Sequence, residues 1–146
     1  MEIKKIFVVD DQELKREDLM NYLKRFFPKA EIRGFVCSGE FYGAVVSKEV
    51  LDDITEHPKE WLIVLDMQMP HERFGQIDRQ AGYKLLHKLQ QLGLTCPAVI
   101  ASSDAIDNAP AREAYESYLG SIQYSYYVDS TPYFREVLCL AETALD

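Results

Sequence analysis

Trp61-Leu62-Ile63-Val64-Leu65-Asp66-Met67-Gln68-Met69-Pro70 is the stretch that decides the fold. Its first five residues form the most apolar run of the chain, the mark of a central strand covered on both faces. An acid, Asp66, closes the run. A second run, Ile6-Phe7-Val8-Val9, closes in the pair Asp10-Asp11. In a parallel sheet, ligand sites form at the carboxyl ends of neighbouring strands. These two strands side by side would therefore bring three acids to one edge.

Strands and helices alternate around these runs. Residues 5–9 read as a strand. Residues 12–27 read as a helix, with Leu19, Met20, Leu23, Phe26 and Phe27 at helical spacing and Pro28 as its stop. A second strand spans 31–36. A less regular helix, interrupted by Gly43, spans 40–55, and Pro58 punctuates the next turn. After the central strand, 83–92 is a helix with Leu85, Leu86, Leu89 and Leu92 on one face. The fourth strand is 97–101. Asp107-Asn108-Ala109-Pro110 opens a helix that runs to about 119, with Pro in its first turn. The fifth strand is 124–128 and the last helix 134–145. Strict alternation implies an α/β sandwich, with a parallel sheet and helices on both faces. The flavodoxin-like order 2-1-3-4-5 sets strands one and three side by side. Segment 71–80 is polar and has no place in the pattern.

With 146 residues, 47% of them hydrophobic, the chain is long and apolar enough for one domain with a real core. A net charge of −8 argues against nucleic acid as the main partner, since phosphate contacts need clustered Lys and Arg. Cys37, Cys96 and Cys139 are widely spaced, give neither a disulfide framework nor a zinc signature, and fit a reducing compartment. Met1-Glu2-Ile3-Lys4-Lys5 runs straight into a strand without a signal-peptide core, and no apolar run approaches a membrane span. A cytoplasmic protein is expected. His57, His71 and His87 have no metal-ligand spacing and read as surface residues, His71 lying nearest the acids.

Three gathered carboxylates repel one another by about 1 kcal/mol per pair at 4 Å in water and about 4 kcal/mol at an effective dielectric of 20. A hard divalent cation with oxygen ligands relieves that repulsion. The arrangement suggests a magnesium site, Asp11 as the closer ligand, Asp10 acting through water, and the backbone carbonyl of Gln68 as a further oxygen. Asp66 is then the candidate nucleophile, because a carboxylate can accept a phosphoryl group as an acyl phosphate. Taken alone, Asp10 and Asp11 would read as a turn and helix cap. The fourth strand ends at Ser102-Ser103-Asp104, where a hydroxyl can donate to a phosphoryl oxygen.

Together these residues resemble the receiver domain of two-component response regulators over nearly the whole chain, from Lys5 to about Ala144. The resemblance rests on the acidic pair after strand one, the aspartate with Met-Pro after strand three, and the hydroxyl after strand four. It implies a single receiver domain over 1–146, a signalling domain rather than an enzyme. Asp66 would be the phosphoacceptor, Asp10 and Asp11 the magnesium ligands, and Ser102 the switch hydroxyl. Tyr127, or Tyr126 beside it, would be the switch aromatic, and Gln68 and Asp104 would tune acyl-phosphate lifetime. It implies a histidine kinase or phosphotransfer protein as donor. It also implies a downstream protein or a second copy bound through helix four, strand five and helix five. Six of the nine tyrosines fall between Tyr115 and Tyr133 in that region.

Two features depart from the family. Receivers carry a Lys before a Pro after strand five; here Thr131 precedes Pro132, and no Lys or Arg occurs between Arg112 and Arg135. The lost charge-assisted contact would be worth roughly 1.5–3 kcal/mol. The second is the insertion 71–80, after which Ala81-Gly82 takes the place of the usual turn into the next helix. Arg73 and Arg79 lie within it, and one of them would replace the missing cation unless the loop is simply solvated. Two other functions compete. One is a pseudo-receiver that binds partners without being switched by phosphate. The other is a magnesium-dependent aspartyl-phosphate phosphatase, weakened by Gln68 where such enzymes place a second acid.

Overall fold

Alternation along the strands sorts the core into two layers. The computed structural model describes residues 3–102 and 124–128, and only the backbone at 100–102 and 124–128. Its elements are β1 (Lys5–Val9), α1 (Glu13–Phe26), β2 (Glu31–Phe35), α2 (Ser38–Val45), α3 (Lys48–Glu56), β3 (Trp61–Leu65), β4 (Met69–Pro70), β5 (Ile77–Asp78), α4 (Ala81–Gln91), β6 (Ala98–Ser102) and β7 (Tyr124–Val128). Five strands form a parallel sheet in the order β2-β1-β3-β6-β7. This is the expected flavodoxin-like 2-1-3-4-5 order, with β6 and β7 as the fourth and fifth sheet strands.

Successive strand side chains point to opposite faces. Ile6, Val8, Leu62 and Val64 pack with Leu19 and Leu23 of α1 on one face. Phe7, Val9, Ile63 and Leu65 pack with Phe41, Val45, Ile54, Leu85, Leu86 and Leu89 of α2, α3 and α4 on the other. The second layer is centred on Phe7, whose ring meets those of Phe35 at 4.9 Å and Trp61 at 5.0 Å, both edge to face. Among the described residues no helix is long and apolar enough to cross a membrane. The helices expected over 107–119 and 134–145 lie outside the described residues.

One expectation is corrected. Segment 40–55 is two helices, and the break falls at Val46-Ser47 rather than at Gly43, which lies within α2. Ser47 is extended, and its hydroxyl donates to the carbonyl of Ala44 at 2.6 Å, closing α2 instead of continuing it. Segment 71–80 is exposed except at Asp78, as a solvated loop would be. It is tied down at its ends by a short β4–β5 antiparallel pairing, Met69 opposite Asp78 and Pro70 opposite Ile77, and His71 docks on the start of α2.

That docking runs through His71. Its Nε2 lies 2.7 Å from Asp78 Oδ2 and its Nδ1 2.6 Å from Ser38 Oγ. An ionised carboxylate only accepts, so Nε2 carries the proton; in the neutral ring Nδ1 then accepts from the Ser38 hydroxyl. Burial acts to raise the Asp78 carboxyl, but the Lys84 ammonium, the Gln80 N–H and His71 outweigh it and hold it at about 2. The Gly39 N–H donates to the His71 carbonyl at 2.9 Å, and a Cβ on Gly39 would collide with that same oxygen. Replacing Gly39 by Ala gains about 1 kcal/mol of helix propensity. It forfeits the ribbon contacts and adds overlap, together about 2–4 kcal/mol. Gly39→Ala is therefore expected to be net destabilising by about 1–3 kcal/mol in urea unfolding, and an equal or higher midpoint would contradict this account.

Candidate functional site

The register of the sheet puts the acids together. Val9 of β1 stands opposite Leu65 of β3, so the next residue of each strand, Asp10 and Asp66, emerges at the same level. Both remain tied to the ladder: the Asp66 N–H donates to Val9 O at 2.9 Å and the Asp10 N–H to Phe35 O at 3.0 Å. One oxygen from each of Asp10, Asp11 and Asp66 lies within 4.8 Å of the others. Asp10 and Asp66 are buried, and Asp11 is partly exposed.

The two buried carboxylates are held. Asp10 Oδ1 accepts the Gln12 N–H at 2.9 Å, and Arg16 donates to the Asp10 carbonyl at 2.8 Å. Asp66 Oδ1 accepts the Met67 N–H at 2.8 Å. The Met67 carbonyl accepts the Gly82 N–H at 2.9 Å, so the start of α4 packs directly on the turn after Asp66. A Cβ on Gly82 would lie 2.9 Å from the Asp66 carbonyl oxygen, which explains glycine there; Ala81 and Gly82 are the first two residues of α4 rather than the turn expected before it.

The cation among these acids is one the sequence reading passed over. Lys15 Nζ lies 3.3 Å from Asp10 Oδ2 and 3.7 Å from Asp66 Oδ1. Segment 71–80 does not supply it through Arg73. That guanidinium binds Glu40 through two hydrogen bonds of 2.9 and 3.1 Å and holds its carboxyl down at about 2. Arg79 is exposed just before α4. One signal for Lys15 was present in the sequence. It occupies the first turn of α1, where the helix dipole disfavours a cation, so a compensating anion was to be sought nearby.

Ser102 is the last residue of β6, and Ile100, two residues earlier, stands opposite Leu65. The backbone thus brings position 102 to the same edge of the sheet as Asp66. In β7, Tyr126 stands opposite Ile100 and Tyr127 opposite Ala101. Gln68 lies in the turn between β3 and β4. Asp104, Thr131, Pro132 and the expected partner face outside β7 fall beyond the described residues. Ser38, His71 and Asp78 follow the order of a hydrolase relay, but Ser38 is buried and its hydroxyl is engaged by His71, so the chain of bonds acts as a clamp.

No family model and no curated protein sequence matches this chain. Solved structures do. A DNA-binding response regulator of the LuxR family from Staphylococcus aureus aligns over 99% of this chain and 100% of its own, with TM-score 0.68 and 14% identity. The fold is that of a response-regulator receiver domain. The receiver domain of a histidine kinase from Arabidopsis thaliana aligns over 97% of this chain and 91% of its own, with TM-score 0.66 and 19% identity. A phosphorylated response regulator of a cyanobacterial phytochrome aligns over the same shares, 97% and 91%, with TM-score 0.62 and 15% identity.

The electrostatics of this receiver-fold site are legible in its protons. Burial, then the neighbouring charge of Asp10, pushes the Asp66 carboxyl up to about 7 against the pull of Lys15. Burial also raises Asp10, against Lys15 and the Gln12 N–H. Both groups hold protons more tightly folded than unfolded. The associated stabilisation is full below the unfolded carboxylate range and is lost as pH climbs, for Asp66 through about 7. Without metal, the melting temperature should fall between about pH 5 and about pH 8. Asp66→Asn should flatten that fall, and millimolar magnesium should raise the wild-type value more at the higher pH. A pH-independent melting temperature would contradict these shifts.

Proposed function

We propose that this chain is a phosphoacceptor signalling domain, in which Asp66 takes a phosphoryl group from a histidine kinase or phosphotransfer protein with the help of magnesium. The observation that carries this reading is the convergence of Asp10, Asp11 and Asp66 at the carboxyl end of a receiver-fold sheet. The donor set is all carboxylate, the chemistry preferred by a hard divalent ion. Asp11 and Asp66 would hold the ion directly, the Gln68 backbone carbonyl would supply a further oxygen, and Asp10 would act through water. When bound, magnesium would neutralise charge on the phosphoryl oxygens.

The chain's own residues do the rest. The Met67 N–H and the packing of Gly82 fix the Asp66 carboxylate in line with the cluster. Burial limits the water that reaches it. Ser102 would receive a phosphoryl oxygen from the next strand, and Tyr127, or Tyr126, would couple that contact to a two-state change. A downstream protein or a second copy would read the change on the face built around β7. The solved receivers of similar fold include one captured phosphorylated, which supports this use of the fold. The protein would act in the cytoplasm, without an enzymatic turnover of its own.

The absence of a strand-five Lys favours a second reading, a partner-binding module of the same fold that phosphate does not switch. One experiment separates them. Incubated with magnesium and phosphoramidate, the wild-type protein should gain the mass of one phosphoryl group, and Asp66→Ala should gain none. No gain on the wild type would leave the binding module as the answer.

A further inference from the structure

We infer that Lys15, from the first turn of α1, is the residue that binds the phosphoryl group where other receivers use a lysine after strand five. The inference rests on the phosphoacceptor reading of Asp66. Three observations lead to it. The region that should supply the cation carries neither Lys nor Arg from 113 to 134. The ammonium of Lys15 reaches both the acceptor, at 3.7 Å from Asp66 Oδ1, and Asp10, at 3.3 Å from Oδ2. Its side chain is 19% exposed, so its stem lies along the protein while its head faces the pocket.

The division of labour among the acids is consistent with this role. Lys15 engages Asp10, the acid assigned to act through water, and Asp66. Asp11 is then left to ligate the ion. Asp66 Oδ1 already carries the Met67 N–H and Lys15, so Oδ2 is the oxygen placed to attack. With phosphoramidate as donor, the Oδ2–P bond forms as the P–N bond breaks. The bonding pair leaves with nitrogen, which already carries three protons and departs as ammonia, and the product is an acyl phosphate with two negative charges. The flexible four-carbon stem of a lysine lets the ammonium move from the carboxylate onto a phosphoryl oxygen as that charge arrives. A lysine in the first turn of α1 thus serves the same chemistry from the opposite end of the sequence.

The test uses the whole protein and three variants, Lys15→Met, Lys15→Arg and Asp66→Ala. Phosphoryl uptake from phosphoramidate with magnesium is followed by intact mass, and binding of magnesium alone by calorimetry. Lys15→Met should take up phosphoryl at least about tenfold more slowly than wild type, the loss of one charge-assisted contact. It should bind magnesium at least as tightly, because a competing cation has gone. Lys15→Arg, which keeps the charge, should recover most of the rate. Uptake by Lys15→Met at the wild-type rate or faster overturns the inference while leaving Asp66 as acceptor. So does Lys15→Arg as slow as Lys15→Met, or weakened magnesium binding in Lys15→Met, which would make the lysine a structural prop. If neither wild type nor any variant is labelled, the phosphoacceptor reading itself fails and takes this inference with it.

Discussion

The unshifted parallel register between β1 and β3 is the constraint on which the site depends. Lys5 faces Trp61 and Val9 faces Leu65, so both strands run out at one level and the residue after each is an acid. Backbone bonds from Asp66 to Val9 and from Asp10 to Phe35 carry the ladder one step further, into the acids themselves. The carboxylates cannot drift apart without breaking it. Their mutual repulsion, a few kcal/mol in a partly screened setting, is outweighed by the packing behind it. Phe7, Phe35 and Trp61 each contribute about 1.5–3 kcal/mol by burial, and their edge-to-face contacts add to that. A slip of one residue would also turn Phe7 to the wrong face of the sheet, so the core that bears the strain also fixes the alignment that creates it.

Charge compensation at this site is built from close neighbours in sequence. Asp10, Asp11 and Lys15 lie within six consecutive residues, spanning the end of β1 and the first turn of α1. Packing of Leu19 and Leu23 beneath the sheet orients that turn. A lysine at the start of a helix pays an electrostatic penalty of several tenths of a kcal/mol, which two facing carboxylates more than offset. The placement is unfavourable by local rules and favourable once the third dimension is considered.

That contrast explains what could be read in advance. The strands announced themselves because Ile6 to Val9 and Trp61 to Leu65 are apolar on both faces, a pattern short-range physics makes unambiguous. Alternation and handedness gave the doubly wound class, the flavodoxin-like order was one of its common forms, and the acids stood out by their position after two such runs. Lys15 did not announce itself, since a lysine on an amphipathic helix ordinarily faces water. Arg73 looked like a stand-in because Pro70 places it near the acids in sequence. Its actual partner, Glu40, lies 33 residues away and belongs to a helix whose start the pattern did not fix. The division of 40–55 into α2 and α3 turned on one exposed hydroxyl, that of Ser47, which bonds backwards to Ala44.

The ribbon formed by β4 and β5 has a consequence for the chain as an object that can be cut and shortened. No side chain caps the start of α2; the Gly39 amide finds its acceptor in the His71 carbonyl, and Ser38 is buried beneath the same residue. The residues of segment 71–80 thus cover a helix end through His71. Removing them would strand an amide and a buried hydroxyl without partners, at about 1–3 kcal/mol apiece. That segment is an organ of the fold, and α2 has no finished beginning without it.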